Sequence, residues 1–160
     1  MKKSEVHFFY EVYDSEHELA GEDAALLQAA KKVTAFAYAP YSNFRVGAVA
    51  KLVNGEIVRG FNQENASFPV GLCAERVLLS AASSLYPGIP INTIAISYNG
   101  GGTGDRPISP CGICRQSLQE YEQRYGQPIR LILGGMEGKI YIIPAASLLL
   151  PLAFTSGELQ

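Results

Sequence analysis

The sequence predicts an α/β chain, a three-layer α/β/α sandwich around a mixed five-stranded sheet. Three observations carry this. Asn54-Gly55, the strongest short hairpin signal a sequence offers, lies between two strand-like runs. After it, helical and strand-like segments alternate, which implies parallel pairing through crossover helices. The length of 160 residues favours one domain with a single sizeable core.

Residues 1–22 stand apart as an N-terminal extension, and residues 23–160 form the single domain. The extension is acidic and carries both histidines, His7 and His17, with an aromatic run at Phe8, Phe9 and Tyr10. With Val6, Val12 and Tyr13, that run either adds an edge strand or docks on a partner subunit. From Glu22 the chain reads as an amphipathic helix through about Tyr38, with Leu26, Leu27, Ala30, Val33 and Ala37 at helical spacing. Pro40 ends it, because the residue before a proline is driven out of the helical region. Phe44 to Val53 and Glu56 to Phe61 are the two strands of the hairpin. A helix follows from about Cys73 to Leu85, closed by Tyr86-Pro87-Gly88. Asn92 to Tyr98 is apolar enough for the middle of a sheet. Asn99 to Pro110 is a loop, Cys111 to about Tyr125 a helix, and Ile129 to Gly134 and Lys139 to Ile143 two further strands. A last short helix begins near Pro144, and a tail follows Leu150.

With 48% hydrophobic and 18% charged residues the composition is that of a globular chain. The net charge of −2, with both signs interspersed, gives no footprint for nucleic acid, whose binding rests on Lys and Arg neutralising phosphates. A small neutral substrate fits better than a polyanion. No stretch approaches the roughly 20 apolar residues that span a bilayer; the longest, Ile142 to Phe154, is broken by Pro144 and Pro151. The first residues lack the apolar core of a signal peptide. Three cysteines make a poor disulfide framework, so the reading is cytoplasmic.

Those cysteines carry the chemistry. In Pro110-Cys111-Gly112-Ile113-Cys114 a turn leads into a helix, and helix N-terminal amides favour thiolates. Alone, the pair is equally a redox motif or half of a structural zinc site. Cys73, also at a helix start, supplies a third ligand. A structural zinc is normally closed by four protein ligands, whereas a catalytic one leaves a position to water, and an open site is the simpler account. Glu75, two residues after Cys73, is set to lie beside the metal-bound water and move its protons. Three thiolates leave one net negative charge on a zinc site; Arg76 is the candidate to draw some of it off, with Arg115 a second.

Zinc deaminases are marked by a His-or-Cys, x, Glu element and a later Pro-Cys-x-x-Cys. Cys73-Ala74-Glu75-Arg76 and Pro110 to Gln116 resemble those of cytidine deaminases, in the small all-cysteine class that forms homotetramers. Tyr38 to Ala48 resembles the family's first helix-to-strand junction, and Asn62-Gln63-Glu64-Asn65-Ala66 its ribose-binding segment. The resemblance covers roughly residues 23 to 156 and implies one zinc per chain on Cys73, Cys111 and Cys114. It implies hydrolytic deamination of cytidine and deoxycytidine to uridine and deoxyuridine, with release of ammonia, in pyrimidine salvage. Glu75 would take a proton from the zinc-activated water, protonate ring N3 and pass the second proton to the leaving amine.

The resemblance assigns further roles. Phe44 would pack against the pyrimidine; Asn62 and Glu64 would bond the ribose hydroxyls; the backbone of Ala66 and the ring of Phe154 would reach a neighbouring subunit's site. The Ser109 carbonyl would accept from the amine. Three departures stand out: Phe68 where the family usually has Tyr, the extension over 1–22, and an enlarged loop from Gly100 to Arg106. The Gly-rich start of that loop lacks the Gly-Lys-Ser/Thr ending of a phosphate loop. Two rival readings are a deaminase for another aminated heterocycle and a non-catalytic zinc-stabilised module with a fourth protein ligand.

Overall fold

The structure, a computed structural model, describes residues 1–100 and 104–159. Gly101, Gly102 and Thr103 of the enlarged loop lie outside the described residues. The strands are β1 (Glu11–Tyr13), β2 (Arg45–Leu52), β3 (Ile57–Phe61), β4 (Ile91–Asn99), β5 (Arg130–Gly134) and β6 (Ile140–Ile143). The helices are α1 (Gly21–Val33), α2 (Ala74–Leu85) and α3 (Gly112–Tyr125).

All six strands form one mixed sheet in the order β1-β6-β5-β4-β2-β3, one strand more than the five expected. The addition is β1, which pairs antiparallel with β6 so that Val12 lies opposite Tyr141. A three-residue edge strand is too short for sequence alternation to distinguish from a docking segment, hence the difference. Only β4 and β5 run parallel among adjacent strands. The first crossover, β3-α2-β4, passes over β2, since β4 pairs with β2.

Strand alternation sorts the core onto the two faces of the sheet. Ala48, Ala50 and Leu52 of β2, Ile94 and Ile96 of β4, and Leu131 and Leu133 of β5 pack with Leu78 and Ala82 of α2 and Leu118 of α3. The intervening Val49, Ala95 and Ile132 pack with Leu26, Leu27, Ala30 and Val33 of α1. The three layers are thus α1, the sheet, and the α2–α3 pair, as the pattern of the sequence requires.

One helix end differs from expectation. The α1 helix stops at Val33 and gives way to a 3-10 turn over Thr34–Phe36, well before Tyr38. The Thr34 hydroxyl donates to Lys31 O at 2.7 Å. The Tyr38 backbone is held by strand-like partners, its N–H donating to Asn62 O (3.0 Å) and its carbonyl accepting from Glu64 N (2.8 Å). Residue 38 therefore lines the sheet's extension and cannot be helical.

Two glycines let helices approach the sheet closely enough to position the site. A Cβ on Gly60 in β3 would overlap Ala74 O and lie 2.6 Å from Leu78 N, so the first turn of α2 rests directly on the strand. A Cβ on Gly47 would lie 2.7 Å from Val33 Cγ2, and the end of α1 uses the same device on β2.

At the other end of α3, the buried carboxylate of Glu122 ties three segments together. It accepts from Ile129 N (2.7 Å), Ala146 N (2.8 Å) and Ser147 N (3.2 Å). Charge-assisted bonds of this kind contribute most when their loss strands buried donors. Glu122→Ala is expected to destabilise the fold by about 3 kcal/mol, read as a thermal midpoint lowered by roughly 10 °C in calorimetry.

Candidate active site

Two helix starts meet under the sheet's hairpin side. Cys73 and Cys111 occupy the N-cap positions of α2 and α3 in extended conformation, and Cys114 lies in the first turn of α3, fully buried. Their sulfurs converge: Cys73 Sγ is 3.7 Å from Cys111 Sγ, which is 3.5 Å from Cys114 Sγ, and all three lie within 4.8 Å of one another. A tetrahedron of zinc–sulfur bonds about 2.3 Å long has corners about 3.8 Å apart, so the three thiols fit zinc. Among the described residues no other His, Cys, Asp or Glu joins the group.

The electrostatics favour ligation. Hydrogen bonding from Cys114, above all, holds the Cys73 thiol down to about 6, against burial and the Glu75 charge; Cys111 and the Arg76 charge act in the same direction as Cys114. The same bond and burial push Cys114 upward. One thiolate, the form that binds metal, is favoured by these neighbours. Arg76 acts on Cys73 through its charge. Arg115 does something else: it donates to Pro110 O (2.8 Å) and Leu149 O (3.0 Å), bracing the turn before Cys111.

Glu75, in the first turn of α2, is only 5% exposed. Burial raises its carboxyl above the usual carboxylate range, partly offset by a hydrogen bond from Cys114. A carboxyl raised in the folded state adds stability that is fully present below its unfolded pKa and lost as pH climbs through the folded one. In metal-free protein, Glu75→Gln is therefore expected to leave the melting temperature nearly unchanged near pH 4 and to raise it near pH 8. Thermal melts in the presence of a chelator at the two pH values check this; an equal shift at both contradicts the buried carboxylate.

These groups lie in a cleft of about 640 Å³, a size suited to a small ligand, lined by Phe44, Asn62, Glu64, Phe68, Ser109 and others besides Cys73, Glu75 and Cys111. Phe44 stacks on Tyr98, ring centroids 5.2 Å apart, and so presents a fixed aromatic wall. The Asn62 amide clamps the start of β2, donating to Phe44 O (2.9 Å) and accepting from Val46 N (2.7 Å). One N–H of that amide is left for a ligand. Glu64 accepts from Tyr41 N (2.8 Å) and from the Ser42 hydroxyl; the latter bond, chiefly, holds its carboxyl below the usual range. Phe68, 74% exposed, meets Tyr41 edge-on at 5.7 Å.

Two of the residues singled out in the sequence are not brought to this cleft by their own chain. Ala66 is exposed and outside the lining, and Phe154 is 59% exposed, with its carbonyl accepting from Gln116 Nε2 at 2.9 Å. The described end of the enlarged loop turns to the β5–β6 connection, where Gly104 O accepts from Glu137 N (3.2 Å) and Asp105 O from Lys139 N (3.3 Å). Sequence reasoning assigned no role of their own to Tyr41, Ser42, Tyr98 and Gln63. Gln63 pairs its backbone with Leu72 and so closes the cleft wall (2.8 and 2.9 Å). The turn residues after Pro40 were a visible cue for Ser42; nothing local announces the other three.

The family model for the cytidine and deoxycytidylate deaminase zinc-binding region matches residues 20–125. Among curated proteins, a cytidine deaminase of Halalkalibacterium halodurans is 37% identical over 124 residues, covering 78% of this chain and 87% of the relative. One from Sporosarcina psychrophila is 34% identical, covering 84% and 93%. The crystal structure of a cytidine deaminase from Burkholderia pseudomallei superposes with a TM-score of 0.72 at 37% identity, covering 85% of this chain and all of that one. Three thiols at zinc spacing, within the matched fold and sequence, lead to one conclusion: the chain belongs to the zinc-dependent cytidine deaminase family, a family of hydrolytic enzymes.

Proposed function

We propose that this chain deaminates both cytidine and deoxycytidine, giving uridine or deoxyuridine and ammonia, as a step of pyrimidine salvage. The observation that carries the reading is Glu75, buried and raised in pKa, in a cleft also lined by Cys73 and Cys111, whose sulfurs meet that of the buried Cys114. Cys73, Cys111 and Cys114 would hold a zinc ion, which would supply an acidified water. Glu75 then does the proton work. Its raised pKa suits it both to accept a proton from that water and to return it to ring N3 as oxygen bonds to C4. The second proton goes to the exocyclic nitrogen, the C4–N bond breaks and ammonia leaves, so that water and cytidine balance uridine and ammonia.

The other residues bind and orient. Phe44, fixed by its stack on Tyr98, packs against the pyrimidine. The spare N–H of Asn62 and the carboxylate of Glu64, kept ionised by Ser42 and Tyr41, bond the ribose hydroxyls. The Ser109 carbonyl accepts from the amine. Arg76 tempers the charge of three thiolates through its effect on Cys73. Ala66 and Phe154, exposed on this chain, serve a neighbouring subunit's cleft in a homotetramer working in the cytoplasm.

Chromatography of cytidine and deoxycytidine incubated with the zinc-loaded protein is expected to show conversion of both, with one ammonia per nucleoside. Neither converted, with one zinc bound per chain, would overturn the substrate assignment and direct attention to other aminated heterocycles, with Phe68 the first residue to vary.

A further inference from the structure

The matched family region begins at residue 20, after the segment that carries β1. Strand β1 is the outer strand of the sheet: one side pairs with β6 and the other pairs with nothing among the described residues. Residues 6–10, which lead into it, form no backbone–backbone hydrogen bonds to the rest of the described chain. Yet they are rich in large apolar side chains that face solvent, Phe9 at 89% and Val6 at 62% exposure, and Val12 of β1 adds another at 51%. Tyr10 sets its ring edge-on to Tyr141 of β6 (5.1 Å), and Phe8 follows at 6.2 Å from Tyr10, so the aromatic run is anchored to the sheet at Tyr10. An open apolar edge is a template for strand addition, and proteins that do not use one usually blunt it with charge or proline. Residues 6–10 contain neither Pro nor Lys.

What fits this edge is written in the segment itself. Val6-His7-Phe8-Phe9-Tyr10-Glu11-Val12 is self-complementary about Phe9 when read antiparallel. Val6 then faces Val12, Phe8 faces Tyr10, and Phe9 faces Phe9. His7 faces Glu11, the one pair of opposite polarity. Residues directly opposite in an antiparallel pair share a face and interact most strongly, and apolar, aromatic and opposite-charge pairs all favour it. Neighbouring registers are worse: a centre at Phe8 sets Glu5 against Glu11, a centre at Tyr10 sets Phe9 against Glu11, and a centre between residues puts opposite faces together. We propose that residues 6–12 pair antiparallel with the same residues of a second copy of this chain, about a two-fold axis through Phe9, joining two sheets edge to edge. A seven-residue strand alone buries less than the roughly 1,600 Å² of a free-standing complex. The contact therefore links copies at high concentration or reinforces subunits held elsewhere. It does not depend on the proposed reaction.

Cysteine placement tests the register directly. In the paired state the two residues 9 sit about 4.5–5.5 Å apart by Cα, within disulfide reach. The two residues 12 sit six positions apart along the strands, roughly 20 Å. Zinc-loaded Phe9→Cys protein under oxidised glutathione is expected to cross-link to a dimer on a denaturing non-reducing gel, beyond the wild-type background. Val12→Cys alone is expected to stay at that background, and Val6→Cys with Val12→Cys together to cross-link. Glu11→Lys added to Phe9→Cys is expected to lower the cross-linked fraction several-fold, and His7→Glu added to both to restore it. No cross-link at Phe9→Cys, or equal cross-linking at Phe9→Cys and Val12→Cys, overturns the proposal. Unchanged zinc content in each variant shows that the fold is intact.

Discussion

Glu75→Gln is expected to lower kcat on cytidine by ~10⁴-fold or more while one zinc per chain stays bound. Glu75 sits in the first turn of α2 at 5% exposure, and burial raises its carboxyl, which strengthens its hold on a proton taken from water. Glutamine keeps the shape, the helix and the neighbours, but it cannot carry a proton. Because the same group is asked to move protons to two nitrogens in turn, its loss removes more than a single general-acid contribution of ~10²–10⁴-fold. Steady-state ammonia release with metal analysis of the same samples checks both halves. Turnover within tenfold of wild type would remove Glu75 from the chemistry; zinc loss would make it a structural residue.

The second large effect is on the metal. Cys111→Ser is expected to weaken zinc binding by roughly 10²–10³-fold, since about 10–16 kcal/mol of zinc affinity shared over four thiolate or imidazole ligands gives about 3–4 kcal/mol each. Deamination should become undetectable once the remaining metal is chelated. Cys111 is the residue to change because it is exposed at the N-cap of α3, where serine is a favoured cap. The helix start survives, so any loss belongs to the metal. Cys114, fully buried, would confound the test with a packing defect. Zinc content after dialysis against a chelator of known affinity reports the result.

Much of this centre was legible in the sequence because its parts are local. A C-x-x-C pair and a Cys-x-Glu element each begin a helix, so spacing sets the geometry within each element; the fold then brings the three sulfurs within 4.8 Å. The central strands were legible because Asn54-Gly55 marks the hairpin and the apolar run from Asn92 to Tyr98 marks a strand buried on both faces. What escaped is what depends on distant partners. The early end of α1 is imposed by the backbone of Asn62 and Glu64 on Tyr38. Asn62 reads as a polar residue at a strand end, but its amide spends two of its bonds on Phe44 and Val46. Glu122 looks like one more solvated helix acid, and only the fold shows that it anchors Ile129, Ala146 and Ser147. Arg115 turned out to brace Pro110 and Leu149. Period and motif carry no information on such long-range bonds.

The most direct test of the central claim is a zinc titration of the stripped protein, followed by ammonia release from cytidine with uridine identified as the product. Activity should be absent at the start, rise linearly with added zinc, and break at one equivalent per chain. Full activity in the metal-free protein, or none at one bound zinc per chain, would contradict a deaminase built on Cys73, Cys111, Cys114 and Glu75.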